Sequence, residues 1–187
     1  MNAYHVFDLP EKPLVDPDAL KQRLHDLSKR HHPQQETEES ERWGEIHSAY
    51  QILADEVKRL KHLLECNGLS DPNHSAAVPE EVMGLFATVG PALHRADGLI
   101  ARMDAAESVL EKAILQHEVL MLAMELQGIA GQVGDFRARL QEQIQLLDTG
   151  WEDAADPESL HAIYRQLVYV ARWAGQLDEK QFRMMNF

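Results

Sequence analysis

This sequence predicts an all-α protein, and two observations carry that expectation. Apolar residues recur at steps of three and four along most of the chain, the spacing of a helix face. Nowhere do apolar and polar residues alternate between turn signals, as half-buried strands require. Turn-forming residues gather around Pro33, from Asn67 to Ser75 and from Asp148 to Pro157, and they cut the helices into a hairpin followed by a bundle. The expected organisation is residues 1–68 as a first domain, 69–77 as a linker and 78–187 as a helical bundle.

The first element is a short apolar cluster, Tyr4-His5-Val6-Phe7-Asp8-Leu9-Pro10, ended by proline. Asp16 is the expected N-cap of the next helix, with Pro17 at the first helical position, where a missing N–H costs nothing. Leu20, Leu24 and Leu27 form its buried stripe, and Lys21, Arg23, Lys29 and Arg30 lie off that stripe, facing water. Pro33 disfavours helical geometry at His32, so the helix stops there. After a polar loop from Gln34 to about Glu39, the residues Trp43, Ile46, Tyr50, Leu53, Val57, Leu60 and Leu64 alternate steps of three and four. They predict one long helix of about six turns, packed antiparallel against the first in nearly coiled-coil geometry.

In the second half, residues 79–103 read as a helix broken or kinked near Gly90-Pro91. Asp104 with Glu107 resembles a capping box and opens the next helix, whose stripe is Val109/Leu110, Ile114, His117, Met121 and Met124. That helix runs to about Leu147, although Gly128, Gly131 and Gly134 weaken it by up to ~1 kcal/mol each relative to alanine. The last helix presents Leu160, Ile163, Leu167, Val170, Ala174 and Leu177.

Composition narrows the function. The chain has 187 residues, 44% hydrophobic and 26% charged, enough for real cores under a charged helical surface. No run approaches the roughly 20 apolar residues that span a bilayer, and the start carries no signal-peptide pattern. The single Cys66 is typical of a reducing compartment, so a cytoplasmic protein is expected. A net charge of −13 argues against nucleic acid, because phosphate binding needs a basic surface. Positive charge is concentrated at residues 20–32, followed by Glu36, Glu38, Glu39, Glu41 and Glu45. Two readings stay open: a docking surface for an acidic partner, or a solvated face ion-paired with the acidic segment. Ten histidines occur without metal-ligand spacing, there is no phosphate-cradling loop, and nothing equips Cys66 as a nucleophile. No metal, cofactor or catalytic residue is expected, and the protein reads as a non-enzyme.

His32-Pro33-Gln34 resembles the His-Pro-Asp tripeptide with which J-domain co-chaperones trigger a DnaK-type chaperone. Short helix, basic helix, tripeptide loop and long helix make up the J-domain layout. Within that class the chain is similar to the iron–sulfur co-chaperone family HscB. Tyr4 to Pro10 echoes that family's Tyr-Phe-x-Leu-Phe-Gly-Leu-Pro start, and Ile46-His47-Ser48-Ala49-Tyr50-Gln51-Ile52-Leu53 its Ile-Asn-x-Ala-Tyr-x-x-Leu. Leu63-Leu64 to Gly68 resembles its Leu-Leu-x-x-x-Gly. Leu120-Met121-Leu122-Ala123-Met124-Glu125-Leu126 resembles the segment that binds the cluster scaffold IscU, and Tyr164 to Phe187 the terminal helix.

The resemblance implies a J-domain-like hairpin and a scaffold-binding bundle. It implies that Lys21, Arg23, Lys29, Arg30, His32, Pro33 and Gln34 face a DnaK/HscA-type chaperone ATPase, and that Leu120, Met121, Met124, Glu125 and Tyr169 hold an IscU-like scaffold. From the residues alone, Met121 and Met124 continue the 110–114–117 stripe and read as core, whereas the resemblance makes them surface; both readings stand at this point. Departures are Gln34 for aspartate, Gln35 for a basic residue, no proline after Leu53, an inserted helical segment at about 76–112, and a shorter connection after Phe136. An aspartate accepts charge-assisted hydrogen bonds about twice as strong as neutral ones, and Gln34 lacks that charge. The alternative to a working co-chaperone is therefore a J-like adaptor that does not stimulate ATPase.

Overall fold

Short polar side chains set most of the helix starts. The computed structural model describes residues 1–30, 37–69 and 79–187, with the backbone alone for 37–40. These residues form seven helices: α1 (Ala3–Val6), α2 (Pro17–Arg30), α3 (Thr37–Ala54), α4 (Glu56–Cys66), α5 (Glu80–Ala105), α6 (Val109–Gly150) and α7 (Pro157–Met185). No strand occurs among them, and the fold is all-α. Asn2, Asp16, Asp55, Ser108 and Asp156 each accept a backbone N–H of the first turn that follows, at 2.9–3.0 Å. Each satisfies a donor that the helix itself cannot.

Four expectations need correction. The long helix over 43–64 is two helices: Asp55 has extended backbone (φ −93°, ψ 121°) and its carboxylate caps Lys58, starting α4 afresh. Of the break or kink expected near Gly90-Pro91, the break does not occur, because α5 continues through it. The buried Val89, Ala92 and Ala96 on either side outweigh the one backbone bond that a proline removes. The next helix is capped by Ser108, while Asp104 pairs with Arg183 at 2.6 Å. Finally, α6 runs past Leu147 to Gly150 and buries a different stripe from the one expected.

The chain forms two compact units, Met1–Ser75 with Gln141–Arg165, and Ala76–Leu140 with Gln166–Phe187. The partition expected from chain order puts residues 141–165 in the second domain; compactness groups them with the first. α6 and α7 each contribute to both units. The core of the first unit is Tyr4, Phe7, Ile46, Leu53, Leu60 and Leu64, completed by Ile144, Trp151 and Leu160. That of the second is built on Val89, Leu99, Leu126, Val133, Leu167 and Leu177.

In the first unit a buried cation holds the irregular segment between α1 and α2. Arg59 donates from Nε to the Pro13 carbonyl at 2.9 Å and from a terminal nitrogen to the Leu53 carbonyl at 2.7 Å. Burial disfavours its charged form and lowers its pKa. The Leu53 bond occupies a carbonyl in the last turn of α3, where the helix has run out of donors of its own. Tyr4 donates to the Lys12 carbonyl at 3.0 Å, and burial pushes its phenol pKa upward. Asp148, from α6, accepts the Leu14 N–H at 2.7 Å and lies 3.6 Å from the Lys12 ammonium. Arg59→Ala should therefore strand two carbonyls, at about 1–3 kcal/mol for each that stays unsatisfied. The expected loss is about 3 kcal/mol in urea unfolding, with α-helical content unchanged below the transition.

α1 is fastened by an imidazole. His62 Nε2 accepts the Ala3 N–H at 3.0 Å, and its ring stacks on Tyr4 with centroids 6.0 Å apart. A nitrogen that accepts carries no proton, so this bond requires neutral His62. Burial lowers its pKa from the usual value of 6.5. Because the folded-state pKa lies below the unfolded one, the contribution to stability is complete above pH 6.5 and declines as the pH falls toward the folded value. Unfolding midpoints should fall on acidification through this window, and His62→Gln should flatten that slope.

Candidate functional site

Two surfaces hold the residues singled out from the sequence. The first is α2 in the first unit. Lys21, Lys29 and Arg30 are exposed on it, Lys21 lying 3.7 Å from Asp18 one turn earlier. Arg23 is partly diverted to structure. Its guanidinium donates to the Phe7 carbonyl at 2.7 Å and meets the Asp8 carboxylate at 3.3 Å. Asp8 has φ +49°, a left-handed conformation that aspartate tolerates better than most residues. Arg23 thus braces the turn after α1 as well as contributing charge. The cleft there, about 380 Å³, is lined by Phe7, Asp8, Arg23, Asp26 and Arg30 among others. His32, Pro33 and Gln34 lie outside the described residues.

The second surface is the first half of α6, in the second unit. Its buried stripe is Leu115, Val119, Leu122, Leu126, Ile129, Val133, Phe136 and Leu140. The expected stripe faces the other way: Leu110 is 73% exposed, Ile114 60%, Met121 57% and Met124 61%, and His117 is exposed with them. At about 100° per residue, Val109, Leu110, Ile114, Leu120, Met121 and Met124 fall within an arc of roughly 140°, opposite the arc of Leu115, Val119, Leu122 and Leu126. Of the two readings of Met121 and Met124, surface is correct. Their stripe ends in Gly128, Gly131 and Asp135, whereas the buried one continues to Leu140.

Glu125 stands at the edge of this arc, paired with Arg95 of α5. One heptad earlier Glu118 accepts from Arg102 at 2.7 Å, and that hydrogen bond holds its carboxyl below the usual range. Between the two pairs an open groove of about 640 Å³ is floored by Gly98, Leu99 and Leu122 and walled by Met121. Tyr169 comes from α7. It is half-buried, its ring 6.1 Å from that of Trp173, which in turn lies 6.2 Å from Phe86. The arginine partners of the two glutamates could not be read from spacing, since they lie on another helix. The exposure of Val109, Leu110 and Ile114 had a signal, the longer competing stripe. Among the described residues no three His, Cys, Asp or Glu side chains gather as a metal site requires, and no helix is long and apolar enough to cross a membrane.

The chain resembles known proteins in part of its sequence and in its fold. Residues 2–62 match the model of the DnaJ domain. Two curated proteins of Vibrio vulnificus, from strains YJ016 and CMCP6, each described as a co-chaperone protein HscB homolog, are 34% identical over 77 residues. Those alignments cover 37% of this chain and 45% of each relative, so the match spans less than half the length of either. Among solved structures, the chaperone HscB from Vibrio cholerae superposes with a TM-score of 0.58 at 16% identity over 96% of both chains. At that identity the likeness concerns the fold.

Proposed function

Because residues 2–62 match a DnaJ domain and the chain is HscB-like in part of its sequence and in its fold, we propose that it is a co-chaperone of iron–sulfur cluster assembly. In this reading it brings a cluster scaffold protein of the IscU kind to an Hsp70-type ATPase of the DnaK/HscA kind. The observation that carries the reading is the apolar surface of α6. Leu120, Met121 and Met124 are exposed on a helix whose opposite side builds the core, and an apolar patch of this kind marks a protein-interaction site. Methionine suits it, because an unbranched thioether repacks easily against a partner.

The division of labour follows from the chemistry present. Lys21, Lys29 and Arg30 supply positive charge that steers α2 toward an acidic surface of the ATPase. His32, Pro33 and Gln34, in the segment that follows α2, deliver the signal for hydrolysis. ATP hydrolysis belongs to the partner; this chain contributes contacts. Leu120, Met121 and Met124, with Glu125 at the rim and Tyr169 from α7, hold the scaffold, which is thereby delivered with the J-domain. Gln34 supports a second reading, in which the chain is a J-like adaptor that binds its partners without stimulating ATPase, since a neutral amide cannot replace a carboxylate opposite a partner arginine.

Two experiments test the proposal. Met124→Ala should weaken scaffold binding by ~1–2 kcal/mol, a common loss for an interface anchor, when measured by titration calorimetry. Tyr169→Ala should weaken it comparably, but its ring also packs near Trp173, so the exposed Met124 is the cleaner probe. Unchanged affinity in folded Met124→Ala would remove this surface from the interface. For the chaperone arm, single-turnover ATPase assays should show weak stimulation by the native chain and a gain with Gln34→Asp. Charge reversal at Lys29, which unlike Arg23 has no bond to the turn after α1, should abolish the gain. Strong stimulation by the native chain would show that the aspartate charge is dispensable. No gain with Gln34→Asp would favour the adaptor.

A further inference from the structure

The exposed side of α6 extends beyond the side chains assigned above to scaffold binding, to Val109, Leu110 and Ile114. Leu110, Ile114, His117, Met121 and Met124 follow steps of four, three, four and three, the heptad spacing of a helix seam that packs against another helix. Val109 (87% exposed) and Leu120 (59%) widen it on one side. Together these apolar side chains form one exposed face, and an exposed apolar patch of this kind marks a protein-interaction site. Next along the helix the same face carries Gly128 and Gly131, and a Cβ built on either would meet no atom within 4 Å. The seam is therefore open at that end, and a second helix can lie close to the α6 backbone there.

The charges beside the seam decide what kind of helix fits. A net charge of −13 opposes self-association in general. Along this face, however, Glu118 and Glu125 are each neutralised by an arginine of α5, Arg102 and Arg95. Glu111 falls on the same side as these two glutamates, Lys112 falls toward the buried stripe, and the opposite flank holds Ala113, Gln116 and Gln127, all uncharged. A strongly basic or acidic partner helix finds no complement in such a flank. A helix that is equally apolar along its seam and equally neutral beside it does, and this chain provides one.

We propose that α6 is a self-association seam, through which two copies of this chain pair by Leu110, Ile114, Met121 and Met124. The pairing covers the side chains assigned above to scaffold binding, so it holds that surface shielded from water until a scaffold displaces the second copy. The self-association itself does not depend on the scaffold assignment. Only the competition does.

Sedimentation velocity on the full chain, over a concentration series from a few to a few hundred micromolar, tests it without any partner. The expected result is a monomer–dimer equilibrium that Ile114→Glu and Leu110→Glu each weaken at least tenfold. Neither side chain is buried, so both variants should keep the native helix content and unfolding midpoint. Leu146→Glu, at a side chain 75% exposed on the same helix but in the first unit, should leave the equilibrium unchanged. A strictly monomeric native chain over the whole series would overturn the proposal. So would a dimer insensitive to both seam variants, or one that Leu146→Glu disrupts equally. Adding a scaffold protein that Met124 binds should shift the dimer to a one-to-one complex. A dimer that persists beside bound scaffold would overturn the competition and leave the scaffold reading intact.

Discussion

The first half of α6 is apolar on two opposite sides, and a helix can turn only one of them into its own core. That constraint organises the second unit. Leu115, Val119, Leu122 and Leu126 join a stripe that continues to Leu140 and is buried throughout. Leu110, Ile114, Met121 and Met124 belong to a stripe that ends after four turns in Gly128 and Gly131. The longer stripe buries more surface, at about 25 cal/mol per Å², and takes the inside. The shorter one is left in water. An exposed apolar face is thus a consequence of how the helix resolves its own competition.

The same contest explains what could be read from the sequence. Helix class, the start of α2, the start of α7 and the turn after α4 were legible, because caps and periodicity are local. The break at Asp55 was not. An unbroken run of threes and fours crosses it, and only the capping bond to Lys58, with Arg59 reaching the Leu53 carbonyl, shows α3 giving way to α4. Pro91 misled in the opposite direction, since packing of the residues around it keeps α5 continuous. Resemblance put Leu120, Met124 and Glu125 on the surface, where they lie, whereas spacing alone assigned the methionines to the core. Their exposure is a tertiary fact. It depends on which of two periodic stripes wins, and that is settled some twenty residues further along the helix.

In the first unit the balance between structure and function is drawn through individual cations. Arg59 is wholly structural, a buried guanidinium spent on two backbone carbonyls. Arg23 is shared between the Phe7–Asp8 turn and the charged face of α2. Lys29 and Arg30 are exposed, and their side chains bond to no other described residue. This gradation matters to the J-domain reading, because a charge-reversal variant reports on docking only where the side chain carries no fold of its own. Gln34 belongs to the same argument from the other direction: it is a position where the charge associated with signalling is missing while the basic helix leading to it is intact.

The central claim is that the solvent-facing side of α6 is where a cluster scaffold protein docks, and methyl NMR tests it most directly. Met121 and Met124 are exposed on that side, whereas Met103 and Met184 are 4% exposed in the core of the same unit, so one methionine-labelled sample contains both reporters and controls. On titration with an IscU-like scaffold, the Met121 and Met124 methyl resonances should shift and saturate together while those of Met103 and Met184 stay in place. Saturable binding that leaves Met121 and Met124 unmoved would contradict the account.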